Sequence, residues 1–376
     1  MKLYYVANAR MPSEKAHGIQ IAKMCEAFIE DGVDVCLVVP SRAREAQSIQ
    51  EFYQLRVAVP SIRLTVPDFY TRGRFGYRVS SYIFMAASAV FLRWKKIKGE
   101  RFTVYTVDLD NFSSSALPLA GAPLYSEMHG GKPSTCAQRF LFRHVRGIIS
   151  INSIIVEELK NTFKSSSPRY CVEPNGVDAA AFHRVDKKEA RKRLGLPLEE
   201  NIVMYVGRFF DWKGLEILPR AAALSPMLRW QTVGGSEAHF KEFVREPLPP
   251  NFHFADSRPH EEMPLWLSAA DALIVLGTKR DAQSYLYTSP MKLFEYLLSG
   301  RPIVASNTPA IRQIVSEKEV LFYEPDDAKD LADTVAHAVA HSGKMTERIE
   351  TAGHKGKTMS WSGRARRMMF AGVANM

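Results

Sequence analysis

The chain has 376 residues and a formal net charge of +10, with 46% hydrophobic and 24% charged residues. That length suggests two domains, each able to bury a core, and the composition is that of a soluble globular protein. The charge is uneven, with 23 Lys/Arg against 16 Asp/Glu in residues 1–178 and 27 against 24 in the remainder. A basic N-terminal half could face nucleic acid, anionic lipid or a phosphorylated substrate.

In chain order, Lys2–Asn8 reads as a buried strand, Ala9–His17 as a polar loop and Gly18–Glu30 as a helix with Ile19, Ile21, Ala22, Cys25, Phe28 and Ile29 inward. Val33–Pro40 is the next strand. Strand, loop, helix and strand within about 40 residues make a βαβ opening, which implies a parallel sheet. Residues 41–76 read as irregular. Helix Tyr77–Lys98 follows, then strands Phe102–Val107, Pro123–Met128 and Gly147–Ile151 and helix Ser153–Phe163. Asp178–Glu200 is charged and uneven, an interdomain connection. A second alternating series then contains strands Asn201–Val206, Arg229–Val233 and Asn251–Phe254, helix Glu261–Ala269 and strand Ala272–Leu276.

Ser289 to Val315 is the most informative stretch. Ser289 is placed to cap a helix with Pro290 at its first position, Met291, Phe294, Leu297 and Leu298 form an inward stripe, and Gly300 ends the helix. Pro302–Ala305 is a short apolar run, hence a strand buried on both faces. A helix N-terminus with open amides and one carboxylate a turn inside it suits an anionic ligand that carries hydroxyls. The pattern predicts two doubly wound α/β domains facing one another.

The four cysteines (Cys25, Cys36, Cys136, Cys171) show no CxxC spacing, which argues against a metal site or a disulfide framework. Leu3–Ala7 is too short for a signal-peptide core, and no run reaches the roughly 18 apolar residues of a spanning helix. A cytoplasmic location is expected.

Four segments resemble one family. Pro174-Asn-Gly-Val-Asp178 is similar to the PNGVD hinge of the family 4 retaining glycosyltransferases of GT-B fold (glycosyl transferases group 1). Val206-Gly-Arg-Phe-Phe-Asp-Trp-Lys-Gly214 resembles their VGR…KG donor-phosphate motif. Ala269-Ala-Asp-Ala-Leu-Ile-Val275 and Ser289-Pro-Met-Lys-Leu-Phe-Glu295 resemble two further blocks of the same family. The resemblance implies a GT-B fold, two Rossmann-like domains facing across a cleft. Residues 1–177 would bind the acceptor, joined by a C-terminal helix, 360–376, that crosses back, and residues 178–359 would bind the nucleotide-sugar donor.

The implied roles follow residue by residue. Arg208 and Lys213 would grip the donor diphosphate, since a departing diphosphate needs fixed cations or a metal to stabilise its growing charge. Without the surrounding pattern the same two residues are surface cations on a loop. Glu295 would bind the ribose hydroxyls; its bland alternative is a surface pair with Lys292. Tyr287 stands where the family often has a sugar-binding glutamate, so one hydroxyl, or the amides of Ser289, Met291 and Lys292, would do the holding. Gly18, Gly207 and Gly234 (with Gly235) would border the donor, and Arg258 would lie where the family reads the base. His129 would stand near the reacting sugar, with Glu127 pointing elsewhere. His17-Gly18 is also readable as a plain N-cap turn. Asp108-Leu-Asp110 is either an acceptor contact or an ordinary loop.

The resemblance implies a metal-independent transfer from a UDP- or GDP-sugar to an acceptor hydroxyl of a glycan, a lipid-linked glycan or a small molecule, with no cofactor. A nucleotide-sugar epimerase of the same fold and a catalytically reduced nucleotide-sugar-binding protein are the alternatives. The uncharged run Val79–Leu92, flanked by basic residues, is either a sheet-covering helix or a peripheral contact with the inner face of a membrane. Nucleic-acid binding is disfavoured, because the cations are not interleaved with aromatics along one motif.

Overall fold

A computed structural model describes residues 2–372 apart from 14, 43–47, 71, 111, 181, 370 and 371. The chain divides into two compact units, Met1–Asn175 with Trp361–Met376, and Gly176–Ser360. Both breaks fall at segments already singled out, one inside Pro174–Asp178 and one at the start of the C-terminal helix.

The first unit is a seven-stranded parallel sheet in the order β3-β2-β1-β4-β5-β6-β7. Its strands are β1 (Lys2–Val6), β2 (Asp34–Pro40), β3 (Ser61–Leu64), β4 (Phe102–Asp108), β5 (Leu124–Met128), β6 (Gly147–Ser150) and β7 (Arg169–Val172). The second unit is a six-stranded parallel sheet in the order β10-β9-β8-β11-β12-β13. Here β8 is Asn201–Val206, β9 Leu228–Val233, β10 Phe252–Ala255, β11 Ala272–Val275, β12 Ile303–Ser306 and β13 Leu321–Tyr323. Each order reverses beside the unit's first strand, the doubly wound arrangement that binds ligands at the carboxyl ends of its strands.

Alternation along β8 shows why these strands read as continuous apolar runs. Ile202, Met204 and Val206 pack on one face with Phe294, Leu297 and Trp266. Val203 and Tyr205 pack on the other with Leu218, Ala222, Leu331 and Val335. Helices cover both faces, so period two is masked in the sequence.

Several expectations are corrected. The segment read as irregular, 41–76, holds helix Ile49–Tyr53 and edge strand β3, and Ser48 and Glu51 form a reciprocal capping box at the helix start. That S-x-x-E signal was present in the sequence. Asp178–Glu200 is no mere connection. It contains helix Lys187–Leu194, capped by Asp186, whose Arg191 is buried and donates to the carbonyls of Ala269, Leu198 and Glu200 and to Asp271. The Ser289–Val315 helix spans Met291–Leu298 with Pro290 itself at the N-cap, one residue later than expected. Its inward set is Leu293, Phe294, Tyr296, Leu297 and Leu298, and Met291 is half-buried. Gly300 has the left-handed φ of 73° expected of it.

The Tyr77–Lys98 helix begins earlier, at Gly73, and runs 25 residues to Ile97. By length and composition it could cross a membrane, contrary to the expectation that no stretch would, yet 44% of its most apolar window is buried within the protein. Phe84, Met85, Ala89 and Leu92 face inward, as in a helix that covers a sheet. All four cysteines are free, with Cys25 and Cys36 in the core.

Candidate functional site

In the second unit, the carboxyl ends of β8 and β9 approach closely because both carry glycine. Gly207 leaves β8 with φ 147° and Gly234 leaves β9 with φ 134°. A methyl group on Gly234 would lie 2.6 Å from the Gly207 carbonyl oxygen, so only glycine fits there. Past this gap the chain runs through Arg208 into the Asp211–Lys213 turn. Lys213 donates to the Arg208 carbonyl at 2.8 Å, and its ammonium lies 4.9 Å from the Phe210 ring centroid.

Lys292 reaches the same spot from the first turn of the Met291–Leu298 helix. Its Nζ sits 3.9 Å over the Tyr205 ring and 3.2 Å from where a side chain on Gly207 would begin. That ammonium is buried and makes no hydrogen bond to any described residue, and the Tyr205 hydroxyl beside it is equally unsatisfied. Burial, reinforced by Lys213, holds Lys292 well below the ordinary lysine value. Burial, reinforced by Arg208, brings Lys213 down to about 8. Lys213 and Lys292 thus come together beside Gly207, with Arg208 acting on Lys213 and Glu295 the acid that acts on Lys292. Buried unpaired charge is costly, and a site built this way is complementary to a multiply charged anion.

Glu295 lies one turn further along the helix. Burial raises it above the ordinary carboxylate value, while His260 and Lys292 draw it down; His260 Nε2 is 3.5 Å from its Oε1. Arg258 stacks over Trp266 at 5.7 Å in the loop after β10. The pattern therefore places Arg208, Lys213, Gly207, Gly234, Lys292 and Glu295 around one end of one sheet. Tyr287 closes a π-helical turn, Gln283–Tyr287, two residues before Ser289, and such turns concentrate at functional sites. Ser289 is buried, and no side chain caps the helix at Pro290.

The first unit presents a second cluster at the carboxyl ends of its own strands. His129 follows β5, and its Nε2 is 2.7 Å from Glu127 Oε1. Glu127 was expected to point away. The correction is geometric, because residues two apart in an extended chain share a face. Glu127 is fully buried and also accepts from Gln20 at 2.5 Å, from Tyr105, and from both terminal nitrogens of Arg364 at 2.8 and 3.3 Å. Burial alone would raise its pKa, but Arg364 and His129 overcome it and hold the carboxyl far below the usual range.

Gly18 is explained by packing: a methyl group there would meet the Tyr53 hydroxyl at 2.4 Å and Ser13 at about 3 Å. His17, half-buried beside His129, is lowered by burial and by Lys15 and His129. The Asp108-Leu-Asp110 pair splits into two roles. Asp108 is the last residue of β4, buried against Lys132 at 3.0 Å and pushed up to about 6 by burial. Asp110 accepts from the Phe112 and Ser113 amides and holds a turn. Sequence reasoning missed Arg364 and the cation role of Lys292. Among the described residues no group of three or more His, Cys, Asp or Glu side chains is placed to hold a metal ion.

Residues 186–356 match the model of the family described as Glycosyl transferases group 1. A D-inositol 3-phosphate glycosyltransferase of Nocardioides sp. is 24% identical over 245 residues, 59% of this chain and 52% of that protein. The chain spans about half the length of the curated relatives it matches. Among solved structures, sucrose-phosphate synthase of Thermosynechococcus elongatus superposes with a TM-score of 0.76 at 18% identity, covering 98% of this chain and 97% of that one. HepE of Anabaena, solved in complex with UDP-glucose, gives 0.70 at 16% identity over the whole of both chains. These structural likenesses establish the fold, which is GT-B.

Proposed function

We propose that this chain, which belongs to the glycosyl transferases group 1 family through residues 186–356, is a retaining glycosyltransferase that takes a sugar from a nucleotide diphosphate sugar. The observation that carries this reading is the meeting of Lys213 and Lys292 beside Gly207, where the Lys292 ammonium is buried without a hydrogen bond to any described residue. A diphosphate supplies the missing anion. HepE, a fold neighbour, was solved with UDP-glucose, which supports a donor of this class.

In this reading Arg208 and Lys213 stabilise the departing diphosphate, the task a metal ion performs elsewhere. Glu295 accepts from the ribose hydroxyls, and the Arg258 loop borders the base. The acceptor belongs to the first unit, with His129 serving the sugar or the acceptor hydroxyl. The bond between the anomeric carbon and the phosphate oxygen breaks as the acceptor oxygen bonds to the same face, and the acceptor proton passes to the leaving phosphate.

The test is to incubate the protein with UDP- and GDP-sugars and candidate acceptors, with and without EDTA, and to read nucleoside diphosphate release and product anomer by NMR. Retention at undiminished rate in EDTA, and turnover lost in Lys213→Ala with donor affinity changed far less, is the expected result. An inverted product, loss in EDTA, or full activity of Lys213→Ala overturns the corresponding element. Conversion of the nucleotide sugar without acceptor would show the epimerase. Binding without any turnover would show the non-catalytic reading that Tyr287 favours.

The same reading places the protein in the cytoplasm against the inner face of a membrane. What supports it is the outer face of helix Gly73–Ile97, where Phe75, Tyr82, Val90, Trp94 and Ile97 are exposed among arginines and lysines and no acid occurs. Sedimentation with anionic but not zwitterionic vesicles, weakened by Trp94→Ala, is expected; equal binding to both, or to neither, refutes it.

A further inference from the structure

We propose that Arg364, on the C-terminal helix, is a positioning residue that acts through Glu127 to hold His129 with its proton on Nε2 and its Nδ1 lone pair open to the reacting groups. This rests on the glycosyl-transfer reading only for what those reacting groups are.

The arrangement is a saturated buried carboxylate. Glu127 is fully buried and Arg364 has 1% of its side chain exposed. The guanidinium meets both carboxylate oxygens, and its remaining donors go to the carbonyls of Glu173 at 3.1 Å and Pro174 at 2.8 Å. Tyr105 donates to Oε2. Oε1 takes Arg364, Gln20 and His129 together. A carboxylate held ionised in this way has only lone pairs to offer, so the imidazole nitrogen facing it must carry the hydrogen. The 3.2 Å between Gln20 Nε2 and His129 Nε2 is then the contact of two donors that share one acceptor.

Stability alone does not call for this network. Apolar residues of similar volume commonly serve as well as a buried ion pair or better. What distinguishes it is that one end reaches His129, whose side chain is 26% exposed at the carboxyl end of β5, where ligands bind in doubly wound sheets. The other end comes from a segment 237 residues further along the chain. The C-terminal helix is anchored to the same unit on its flanks by Arg366 to Asp31 and Arg367 to Glu173. It thereby completes a site whose other parts lie in the first half of the sequence. A lysine could restore the charge at 364 but not the two-pronged contact.

The experiment uses the full chain with ¹⁵N-labelled histidine at pH 8, comparing wild type, Glu127→Gln, Arg364→Lys and the double variant Glu127→Gln/Arg364→Met. In the wild type the His129 signals should show one protonated nitrogen, Nε2, and one bare nitrogen, Nδ1. In both variants carrying Glu127→Gln the two should move toward tautomer averaging. The double variant removes both charges at once and should melt close to wild type, so that misfolding does not explain its spectrum. Turnover should fall by about 10²-fold in that variant with the donor KM unchanged, and Arg364→Lys should recover only part of it. A folded double variant with the wild-type tautomer, or with wild-type turnover, overturns the proposal. A tautomer change in a protein that transfers no sugar would overturn the reaction assigned above and leave the role of Arg364 standing.

Discussion

Changing Lys292 to Met should stabilise the empty protein and weaken its hold on a nucleoside diphosphate, two effects of opposite sign from one side chain. In the empty site the ammonium has a 3.9 Å contact with the Tyr205 ring and no hydrogen bond. A cation–π contact returns about 0.5–2 kcal/mol, whereas desolvating the ion costs several. Methionine has similar length and no charge to bury, so a gain of about 1–3 kcal/mol is expected. For a unit of this size that corresponds to a rise of roughly 2–10 °C in its melting transition. With a diphosphate bound, the wild type gains a charge-assisted hydrogen bond worth about 1.5–3 kcal/mol, so the variant should bind UDP or GDP about 10- to 150-fold more weakly. The pH dependence carries a sign. The folded-state pKa of Lys292 is lowered, so its penalty is fully present below that value and fades as pH rises toward the unfolded value of about 10.4. The stability gap between variant and wild type should therefore narrow on going from pH 7 to 10. Scanning calorimetry with and without nucleotide, together with titration calorimetry, measures both halves. A variant that melts lower when empty, or binds nucleotide within twofold of wild type, refutes the reasoning.

Nucleotide binding itself should respond to pH through Lys213. Burial and Arg208 bring it down to about 8, so the empty site loses this cation as pH rises through 8; affinity should fall there, and calorimetry in buffers of different ionisation enthalpy should detect proton uptake on binding near pH 8–9. Glu295→Gln should weaken ribonucleotide binding by about 10-fold or more while 2′-deoxy analogues lose less; equal losses for both would detach Glu295 from the ribose. Gly234→Ala forces a side chain into a backbone with φ 134° and to within 2.6 Å of a carbonyl oxygen. A loss of about 1–3 kcal/mol, seen as a lower melting temperature together with weaker nucleotide binding, is expected, and an unchanged melt would show that the two strand ends are free to part.

Five of the six strands of the second unit were legible because burial on both faces forces unbroken apolar runs between turn residues, and the three-residue edge strand β13 (Leu321–Tyr323) was not read. Asn201–Val206 was read with its observed limits and β12 within a residue of them. The glycines that end β8 and β9 stood out for the same reason, since a chain leaving a buried strand at positive φ leaves few other choices. Charged segments were misread because pattern reasoning assigns charge to solvent. Asp178–Glu200 looked like a linker, yet Arg191 is 1% exposed, its planar group spread over four carbonyls and Asp271. Arg364 likewise sits in a strongly basic stretch, expected to cross back onto the first unit but with no sign of which arginine would be buried.

The two halves of the candidate chemistry differ in legibility for a related reason. Arg208, Lys213, Lys292 and Glu295 lie in compact motifs whose spacing is set by one strand–loop–helix passage each, so local sequence carries their arrangement. That Lys292 makes no hydrogen bond was not legible, because it depends on the fold bringing its ammonium over the Tyr205 ring and beside Gly207, in a distant segment of the chain. The His129 arrangement is assembled from α-helical Gln20, strand residues Tyr105 and Glu127 and the C-terminal Arg364. No local pattern connects those four. Period two alone should have placed Glu127 on the side of His129; the identity of its counter-charge could come only from the folded chain. Where a catalytic group is oriented by a buried ion rather than by its own loop, a single sequence names the group and conceals what orients it.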